Sequence, residues 1–370
     1  MKTFPLQSMS VEEATMLQFK LVDSITKFFE GDAILSRGDL GVVPGLNRPS
    51  STAAAEKALA DFFGCEDAML ARGAGTGALR LALFAATGAG KRLLIHDAPI
   101  YPTTKVSIEM LGIETCAANF NDLQATQKAI VQGRPDAVLI QATRQKPDDS
   151  YDMKKLIAAI RREDKALPII TDDNYSALKT PYIGVQAGAT LSCFSTFKLL
   201  GPEGIGLIAG DAKFISRLRA QNYSGGLQVQ GHEAIAALRG MVMAPVALAI
   251  SACVVQEVAK RLNDNEIPGV SGAFIVNAQS KVVIAQFERP IAKEVWQASR
   301  KFGAAPHPVG AESKYELVPM FYKVSGTFIE ANPKAVDYML RINPMRAGAD
   351  TVMRILRESV AHVGESKSGA

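Results

Sequence analysis

Short apolar runs alternate with stretches of helical periodicity from residue 52 to about residue 220. Runs of this length, bounded by turn-forming residues, are typical of buried strands. An alternation of strands and helices predicts an α/β fold with a largely parallel sheet. We therefore predict a three-layer α/β/α sandwich with a mostly parallel seven-stranded sheet. The predicted strands lie near residues 67–72, 92–97, 113–117, 136–141, 168–172, 191–196 and 204–209.

The pattern changes after this region. A long helical run at 232–262 leads into a stretch with fewer strand and helix signals. The longest apolar region of the chain lies within this helical run. It is broken by Pro245 and is shorter than a membrane span requires, so we expect no membrane contact. We predict an N-terminal helical arm over residues 1–35, a large domain over 36–245, and a small C-terminal α+β domain over 246–370.

Composition narrows the possible functions. At 370 residues with 48% hydrophobic residues, the chain can bury a large core. A net charge of +4, without basic clusters interleaved with aromatic residues, gives no reason to expect nucleic acid as a partner. The four cysteines lie in separate apolar runs, and the N-terminus lacks the apolar stretch of a signal peptide. We therefore expect reduced, buried cysteines, no metal site and a cytoplasmic protein.

One lysine lies in a setting that favours chemistry. Lys198 belongs to the segment Ser-Thr-Phe-Lys-Leu-Leu-Gly at 195–201, just past a predicted strand and before a turn with glycine. An amine held at a rigid strand end and partly desolvated favours its neutral, nucleophilic form, which can form a Schiff base. A solvated surface lysine is the alternative that this segment alone leaves open.

Two adjacent acids follow the preceding predicted strand. The run 168–172 ends in Asp172, which is followed by Asp173. In an open parallel sheet, the carboxyl ends of strands converge on the crevice where ligands bind, so we expect one acid near Lys198. Successive side chains of a strand point to opposite faces. These residues alone leave open which of the two acids, Asp172 or Asp173, faces the lysine.

A glycine-rich loop follows the first predicted strand. The segment Arg-Gly-Ala-Gly-Thr-Gly-Ala at 72–78 precedes a helical run. Glycines let backbone amides approach an anion, and a helix N-terminus adds partial positive charge. The loop therefore indicates a phosphate site with Gly75, Thr76 and Gly77 as donors. A tight turn that needs glycine only for packing is the alternative.

The same loop also satisfies the dinucleotide fingerprint G-x-G-x-x-A. Asp97 follows the next apolar run at nearly the distance expected of a ribose-binding acid. An NAD(P)-binding Rossmann protein is therefore a rival hypothesis. It leaves Lys198, Asp172 and Ser195 without a role.

The pattern D-x-x-Y followed by S-x-x-K resembles the cofactor core of the fold-type-I pyridoxal-phosphate enzymes, which include class V aminotransferases and cystathionine lyases. The resemblance implies their fold and pyridoxal 5′-phosphate as cofactor. Lys198 would be the Schiff-base lysine, Asp172 would pair with the pyridinium nitrogen, and Tyr175 would approach the ring hydroxyl. A carboxylate keeps the ring protonated, so that it accepts the electrons released at the substrate Cα. The residues that would bind the phosphate are Gly75, Thr76, Gly77 and Ser195.

The same resemblance assigns further residues. Tyr101, in a segment marked by prolines, is expected to stack on the pyridine ring. Arg341, in a stretch similar to the family's R-x-S/N-P, is expected to bind the substrate α-carboxylate, because a guanidinium grips a carboxylate in two places. Arg346 is the second choice for that role. Arg144, beyond a predicted strand, could face the cofactor or the substrate, although an exposed arginine there is equally ordinary.

Two segments resemble parts of the superfamily that reach across a dimer. One surrounds Arg48 and the other contains a Gly-Gly-Leu-Gln turn. The resemblance implies a homodimer with shared active sites. Ordinary surface arginines are an equal alternative for the two basic residues. The candidates for contacts with the partner subunit are Arg37, Arg48, Gly226 and Gln228.

The leading hypothesis is an aminotransferase-like enzyme that acts on a small amino acid or amine through Lys198. A pyridoxal-phosphate-dependent C–S or other β/γ-lyase is the runner-up, and a catalytically silent pyridoxal-phosphate-binding protein is an alternative of another class. The motifs do not fix the reaction, because transamination, elimination and racemisation differ in which Cα bond is held perpendicular to the ring.

Overall fold

The computed structural model describes residues 3–146, 148–277, 281–310, 312–324, 329 and 333–368. The chain divides into two compact units. The large unit comprises Glu12–Arg144 and Asp149–Val246, and the C-terminal unit comprises Met1–Val11, Gln145–Asp148 and Ala247–Ala370. Almost all of the N-terminal helix, which we assigned to an arm, thus belongs to the large unit.

Strands and helices alternate along the large unit. Its strands are β1 (Asp67–Arg72), β2 (Arg92–His96), β3 (Glu114–Ala118), β4 (Ala137–Gln141), β5 (Ile169–Asp172), β6 (Leu191–Ser195) and β7 (Ile205–Gly210). Its helices are α1 (Val11–Phe28), α2 (Ser50–Phe63), α3 (Ala74–Ala86), α4 (Pro102–Met110), α5 (Leu123–Gly133), α6 (Met153–Glu163), α7 (Ala212–Gln221) and the first part of α8 (Gly231–Asn263). Each predicted strand coincides with an observed one to within one residue at either end.

The seven strands form one sheet in the order β1-β7-β6-β5-β4-β2-β3. Strand β7 runs antiparallel to both β1 and β6, and the remaining neighbours are parallel. The predicted mostly parallel, seven-stranded sheet is therefore confirmed.

Both faces of this sheet are covered by helices. Leu139 of β4 packs in a core with Leu83 of α3, whereas the next residue, Ile140, packs in a separate core with Ile157 of α6. Adjacent residues of a strand point to opposite faces, so a strand buried on both faces is apolar at every position. The three-layer sandwich follows from this uninterrupted apolar pattern.

The C-terminal unit has its own sheet and core. Its strands, in the spatial order β10-β11-β9-β8, are antiparallel. Phe287, Phe321 and Leu356 are buried together in its core. This is the small α+β domain that we predicted. The elements are β8 (Val270–Asn277), β9 (Lys281–Phe287), β10 (Met320–Lys323), β11 (Met339–Asn343), the second part of α8, α9 (Ala292–Ser299), α10 (Ala335–Tyr338) and α11 (Ala349–Ser368).

Helix α8 (Gly231–Asn263) agrees with the helical run that we predicted at 232–262, and Pro245 lies inside it without ending it. What differs is the length of its apolar part, which we expected to be too short for a membrane span. Within the described residues, α8 has the length and composition to cross a membrane, but 56% of its most apolar window is buried in the fold. A core helix of a soluble protein passes the same test, so no membrane span follows from it.

The cysteines correct a second expectation. Cys193 is buried, Cys65 and Cys116 are half-buried, and Cys253 is exposed on α8. All four are free thiols. Apolar neighbours in the sequence did not ensure burial of Cys253, since one side of a helix can face solvent.

A buried carboxylate ties α2 to the sheet. Glu56 Oε1 accepts a hydrogen bond from the backbone N–H of Leu70 in β1 at 2.9 Å. Its Oε2 lies 2.8 Å from Arg48 Nε and 3.2 Å from Arg219 Nη2 of α7. Burial raises the pKa of Glu56, and the two guanidinium groups oppose that shift. Removal of this charge would take the ion pair from the half-buried Arg48, whereas Arg219 would keep its ion pair with Asp67.

We expect Glu56→Gln to lower the free energy of unfolding by about 3 kcal/mol, because a buried ion pair that loses one partner leaves a buried charge. Urea unfolding followed by circular dichroism measures the loss. Glu109→Gln is the control, since Glu109 forms an exposed ion pair with Lys105. This substitution should lower the free energy of unfolding by less than about 0.5 kcal/mol. Equal losses in the two variants would contradict the proposed role of Glu56.

Candidate active site

Three neighbouring strands bring polar side chains to one edge of the large sheet. Strands β4, β5 and β6 are parallel, and in register Gln141 pairs with Asp172, which pairs with Cys193. Ser195 ends β6 two residues later. The carboxyl ends of parallel strands form the usual ligand crevice of such sheets.

Lys198 lies in the 3₁₀ turn Phe197–Leu199 that follows β6. The turn is closed by a hydrogen bond from the Gly201 N–H to the Thr196 carbonyl, and Leu200 adopts the left-handed conformation, with φ of 63°. Lys198 is half-buried, and its Nζ lies 3.7 Å from the centre of the Tyr175 ring. An ammonium over an aromatic ring at this distance makes a cation–π contact. The amine is thus held in one place by a short, constrained turn.

Asp172 is the acid that faces this lysine. Its carboxylate is buried, and burial raises its pKa. Hydrogen bonds from Asn174, the positive charge of Lys198 and a hydrogen bond from the Gln141 side chain oppose that rise. The neighbours thus favour the ionised form of a carboxylate that burial alone would neutralise.

Asp173 points the other way and has a structural role. It accepts hydrogen bonds from Thr171 Oγ1 at 2.5 Å and from the Gly184 N–H at 3.1 Å. Burial raises the pKa of Asp173 to about 6. The structure therefore brings Asp172, and not Asp173, towards Lys198, as strand alternation requires.

Asn174 connects the ends of two strands, and the sequence analysis did not single it out. Its Nδ2 donates to Asp172 Oδ1 at 2.7 Å, and its Oδ1 accepts from the Ser195 N–H at 3.0 Å. Gln141, the other amide beside Asp172, was also missed. Both lie directly at or beyond the carboxyl end of a predicted strand, and that position was the available signal.

The glycine-rich loop lies against this amide. A Cβ added to Gly75 would come within 2.5 Å of Asn174 Oδ1, and one added to Gly77 would come within 2.2 Å of the Arg72 carbonyl oxygen. Gly73, with φ of 94°, precedes the first residue of α3. The first N–H groups of a helix have no acceptor within the helix, so Gly75 and Thr76 present donors at an end of α3 that favours anions.

Tyr101 joins the same group of side chains. It precedes the first turn of α4 and is 37% exposed. Burial and the negative charge of Asp172 raise the pKa of its hydroxyl, and a hydrogen bond with Tyr175 opposes that rise. Tyr175 itself has φ of 65°. The structure thus brings together Tyr101, Asp172, Tyr175, Ser195 and Lys198, with Gly75 linked to them through Asn174.

The two candidate substrate arginines lie in different units. Arg144 follows β4 in the large unit, 5.9 Å from the centre of the Tyr151 ring, and burial lowers its pKa. Arg341 lies on β11 of the C-terminal unit, buried over the ring of Tyr322, and its Nε finds no hydrogen-bond partner among the described residues. A buried guanidinium with an unused donor is suited to an anion.

The candidates for contact with a partner subunit fall into two groups. Arg48 is paired with Glu56 inside its own chain, and the Gln228 side chain is buried and donates to the Asn222 carbonyl. Both side chains thus already have partners within their own chain. Arg37 and Gly226 are exposed, and contact of these four residues with a partner subunit stays a prediction.

Two families match the chain. Residues 40–245 match the family described as aminotransferase class I and II, and residues 256–356 match the C-terminal domain of YhfS-like proteins. The chain is 51% identical over 363 residues to the uncharacterized protein YhfS of Escherichia coli strain K12, covering 98% of this chain and 100% of that protein.

Solved structures show the same fold. The crystal structure of YhfS from Escherichia coli, described as pyridoxal-5′-phosphate dependent, superposes with a TM-score of 0.96, covering 98% of this chain and 100% of that one. A carbon–sulfur lyase involved in aluminum resistance from Clostridium novyi NT is 14% identical, with a TM-score of 0.71 and coverage of 95% and 91%. The cystathionine gamma lyase CalE6 from Micromonospora echinospora is 13% identical, with a TM-score of 0.71 and coverage of 93% and 99%.

The chain belongs to the aminotransferase class I and II family, within the fold-type-I pyridoxal-phosphate-dependent superfamily. The resemblance given by the sequence is confirmed at this level, and the rival NAD(P)-binding hypothesis is wrong. Placement in class V stays a prediction, since the matching family is class I and II.

Asp173 gives a prediction about pH. Its folded pKa of about 6 lies above the ordinary value of 3.8, so the folded chain binds a proton that the unfolded chain releases. Between these two values, stability falls as pH rises, and Asp173→Asn removes that fall. In urea titrations from pH 4 to 7, the free energy of unfolding of the variant should rise relative to that of the wild type by up to about 3 kcal/mol. Parallel pH profiles would contradict the assigned environment of Asp173.

Proposed function

We propose that this chain is a pyridoxal-phosphate-dependent enzyme that acts on a small amino acid or amine, and that its reaction is transamination through Lys198. The observation that carries the proposal is the placement of one half-buried amine beside one buried carboxylate. Lys198 lowers the pKa of Asp172, which burial raises. Catalytic sites often contain a titratable group whose pKa is shifted one way by burial and the other way by a neighbouring charge. They also often lie at the carboxyl ends of parallel strands.

The residues fit the cofactor. A buried carboxylate held ionised by three neighbours suits a protonated pyridine nitrogen, which needs a negative partner. The close approach of Gly75 and Gly77 to neighbouring atoms leaves no room for side chains at the start of α3, which suits a phosphate bound by backbone N–H groups. Lys198 would bind the aldehyde, Asp172 the ring nitrogen, and Tyr101 and Tyr175 the ring. The phosphate would be held by Gly75, Thr76 and Ser195, because the N–H of Gly77, the other donor that we predicted, already donates to the Gly73 carbonyl at 2.8 Å.

Pyridoxal phosphate supplies an electron sink that stabilises the negative charge left when a bond at the substrate Cα breaks. The chain supplies proton transfer and orientation. Lys198 Nζ would take the proton from the substrate Cα and return it at another carbon, which requires an amine that is neutral at that moment. The short turn after β6 fixes the backbone from which the Lys198 side chain extends.

Arg341 is our candidate for binding the substrate carboxylate. Arg341 Nε is a buried donor without a partner among the described residues, and a guanidinium can hold an α-carboxylate in two places. Arg144 is the second candidate for a contact with the substrate. A bound carboxylate fixes which Cα bond stands perpendicular to the ring, and that choice decides the reaction.

We also propose a homodimer, which the fold implies. Large apolar side chains are exposed on α1 and on the segment that follows it, including Phe19, Leu35 and Leu40. Contiguous exposed apolar side chains mark contact surfaces more often than free surfaces. Arg37 lies within this segment and would face the partner.

Elimination is the second candidate reaction. The observation that favours it is the Tyr101 hydroxyl, which shares a hydrogen bond with Tyr175 and lies near Asp172. This hydroxyl gives the site a proton donor besides Lys198. Such a second acid can protonate a leaving group as it departs from the substrate Cβ.

Lys198→Ala should abolish the visible absorbance that pyridoxal phosphate acquires on covalent attachment to the protein. The reason is that Lys198 is the amine we expect to attach it. Lys179→Ala is a matched control, because Lys179 Nζ also lies over the Tyr175 ring, at 5.3 Å. The control should keep the absorbance of the wild type. A coloured Lys198→Ala protein, or a colourless wild type, would overturn the proposal.

The reaction type is tested with amino acids and the wild-type protein loaded with cofactor. Transamination should convert about one equivalent of amino acid and then stop until a keto acid is added, because the amino group stays on the cofactor. A lyase would instead release ammonia and keto acid continuously. Mass spectrometry of products, before and after a keto acid is added, separates the two. A band that no amine changes would indicate a silent cofactor-binding protein.

A further inference from the structure

The Asn174 side chain joins three parts of the site. Its Nδ2 donates to Asp172 Oδ1 at the end of β5, and its Oδ1 accepts from the Ser195 N–H at the end of β6. The backbone N–H of Asn174 donates to the same Asp172 oxygen at 3.1 Å. The amide group also packs against Gly75, where an added Cβ would lie 2.7 Å from Nδ2.

The two hydrogen bonds of this side chain have opposite polarity. Asp172 needs a donor, and the Ser195 N–H needs an acceptor. An amide offers both within one planar group, and its orientation is fixed because a flip would set oxygen against carboxylate and N–H against N–H. Aspartate at this position would keep the acceptor and lose the donor. Alanine would lose both.

We propose that Asn174 is a positioning residue that keeps Asp172 ionised and aligned with Ser195 and the phosphate-binding loop. The inference rests on the proposed function, since it concerns the acid that would pair with the ring nitrogen. Asn174 would act through Asp172 and need not touch the substrate. Its side chain hydrogen-bonds both the Asp172 carboxylate and the Ser195 backbone N–H.

The consequence reaches Lys198 through charge. With less support for its ionised form, Asp172 would take up a proton, and the ring nitrogen would lose its own. The ring would then carry one positive charge less. Because that charge repels a proton on Lys198 Nζ when this atom is bonded to the cofactor, its loss raises the pKa of Nζ. The pH at which this proton leaves should therefore rise. The other titratable groups that influence Asp172 electrostatically, or are influenced by it, are Tyr101, Asp173 and Cys193.

A second consequence concerns the phosphate. Because the Ser195 N–H is committed to Asn174 Oδ1, the hydroxyl is the group that Ser195 can offer to a phosphate. Loss of the amide would free this N–H and the space beside Gly75, so the loop would be less well ordered for the anion. Asn174 therefore supports cofactor affinity as well as the charge of Asp172.

The test uses the full-length protein loaded with pyridoxal phosphate, and its readout is the pH midpoint of the visible absorbance. We expect Asn174→Ala and Asn174→Asp each to raise this midpoint by about one unit. We also expect the Kd for pyridoxal phosphate to increase about tenfold. Circular dichroism of each apoprotein verifies folding, and Asn174→Asp retains the acceptor for Ser195 should the alanine variant fail to fold.

Thr143→Val is the matched control. Thr143 Oγ1 donates to the backbone carbonyl of Asn174 at 3.1 Å, so the variant loosens the same turn and leaves the side-chain amide in place. It should keep the wild-type midpoint. If the Asn174 variants titrate like the wild type, or if Thr143→Val shifts the midpoint equally, the inference is overturned while the proposed function stands. A wild type that takes up no pyridoxal phosphate would overturn both.

Discussion

The site depends on one costly group, the buried carboxylate of Asp172. An ionised acid away from water is stable only when hydrogen bonds and opposite charge replace its solvent. The chain supplies both from separate elements: Gln141 from β4, Asn174 from the turn after β5, and Lys198 from the turn after β6. Strand order places these elements side by side. The fold therefore gathers hydrogen-bond donors and a positive charge around the carboxylate that we propose as the partner of the cofactor's ring nitrogen.

Backbone constraints complete the site around that charge. Tyr175 and Leu200 adopt the left-handed conformation without being glycine, which costs energy that the surrounding contacts must offset. Gly75 and Gly77 are required by close approach, because a methyl group at either would overlap a neighbouring atom. Left-handed residues and close-packed glycines thus contribute to the crevice, and they also occur elsewhere in the chain, for example at Arg134 and Gly210.

Sequence patterns within single segments predicted much of this arrangement. They missed side chains whose role depends on which strands lie next to each other. The apolar runs located all seven strands, and the motifs around Lys198, Asp172 and Gly75 identified residues that meet in space. Asn174 and Gln141 were missed because their role depends on which strands are neighbours, a property that no single segment contains. Arg48 was assigned to a partner subunit, and it pairs with Glu56 on the helix that follows it in the sequence. The helix across Pro245 was predicted, whereas the length of its apolar part was underestimated.

The central claim is that one amine, on the turn after β6, attaches the cofactor opposite Asp172. The most direct measurement is to load the protein with pyridoxal phosphate, reduce it with borohydride, digest it and locate the labelled peptide by mass spectrometry. Our account predicts one label, on Lys198. A label on Lys179 or elsewhere, or an unlabelled protein, would contradict it.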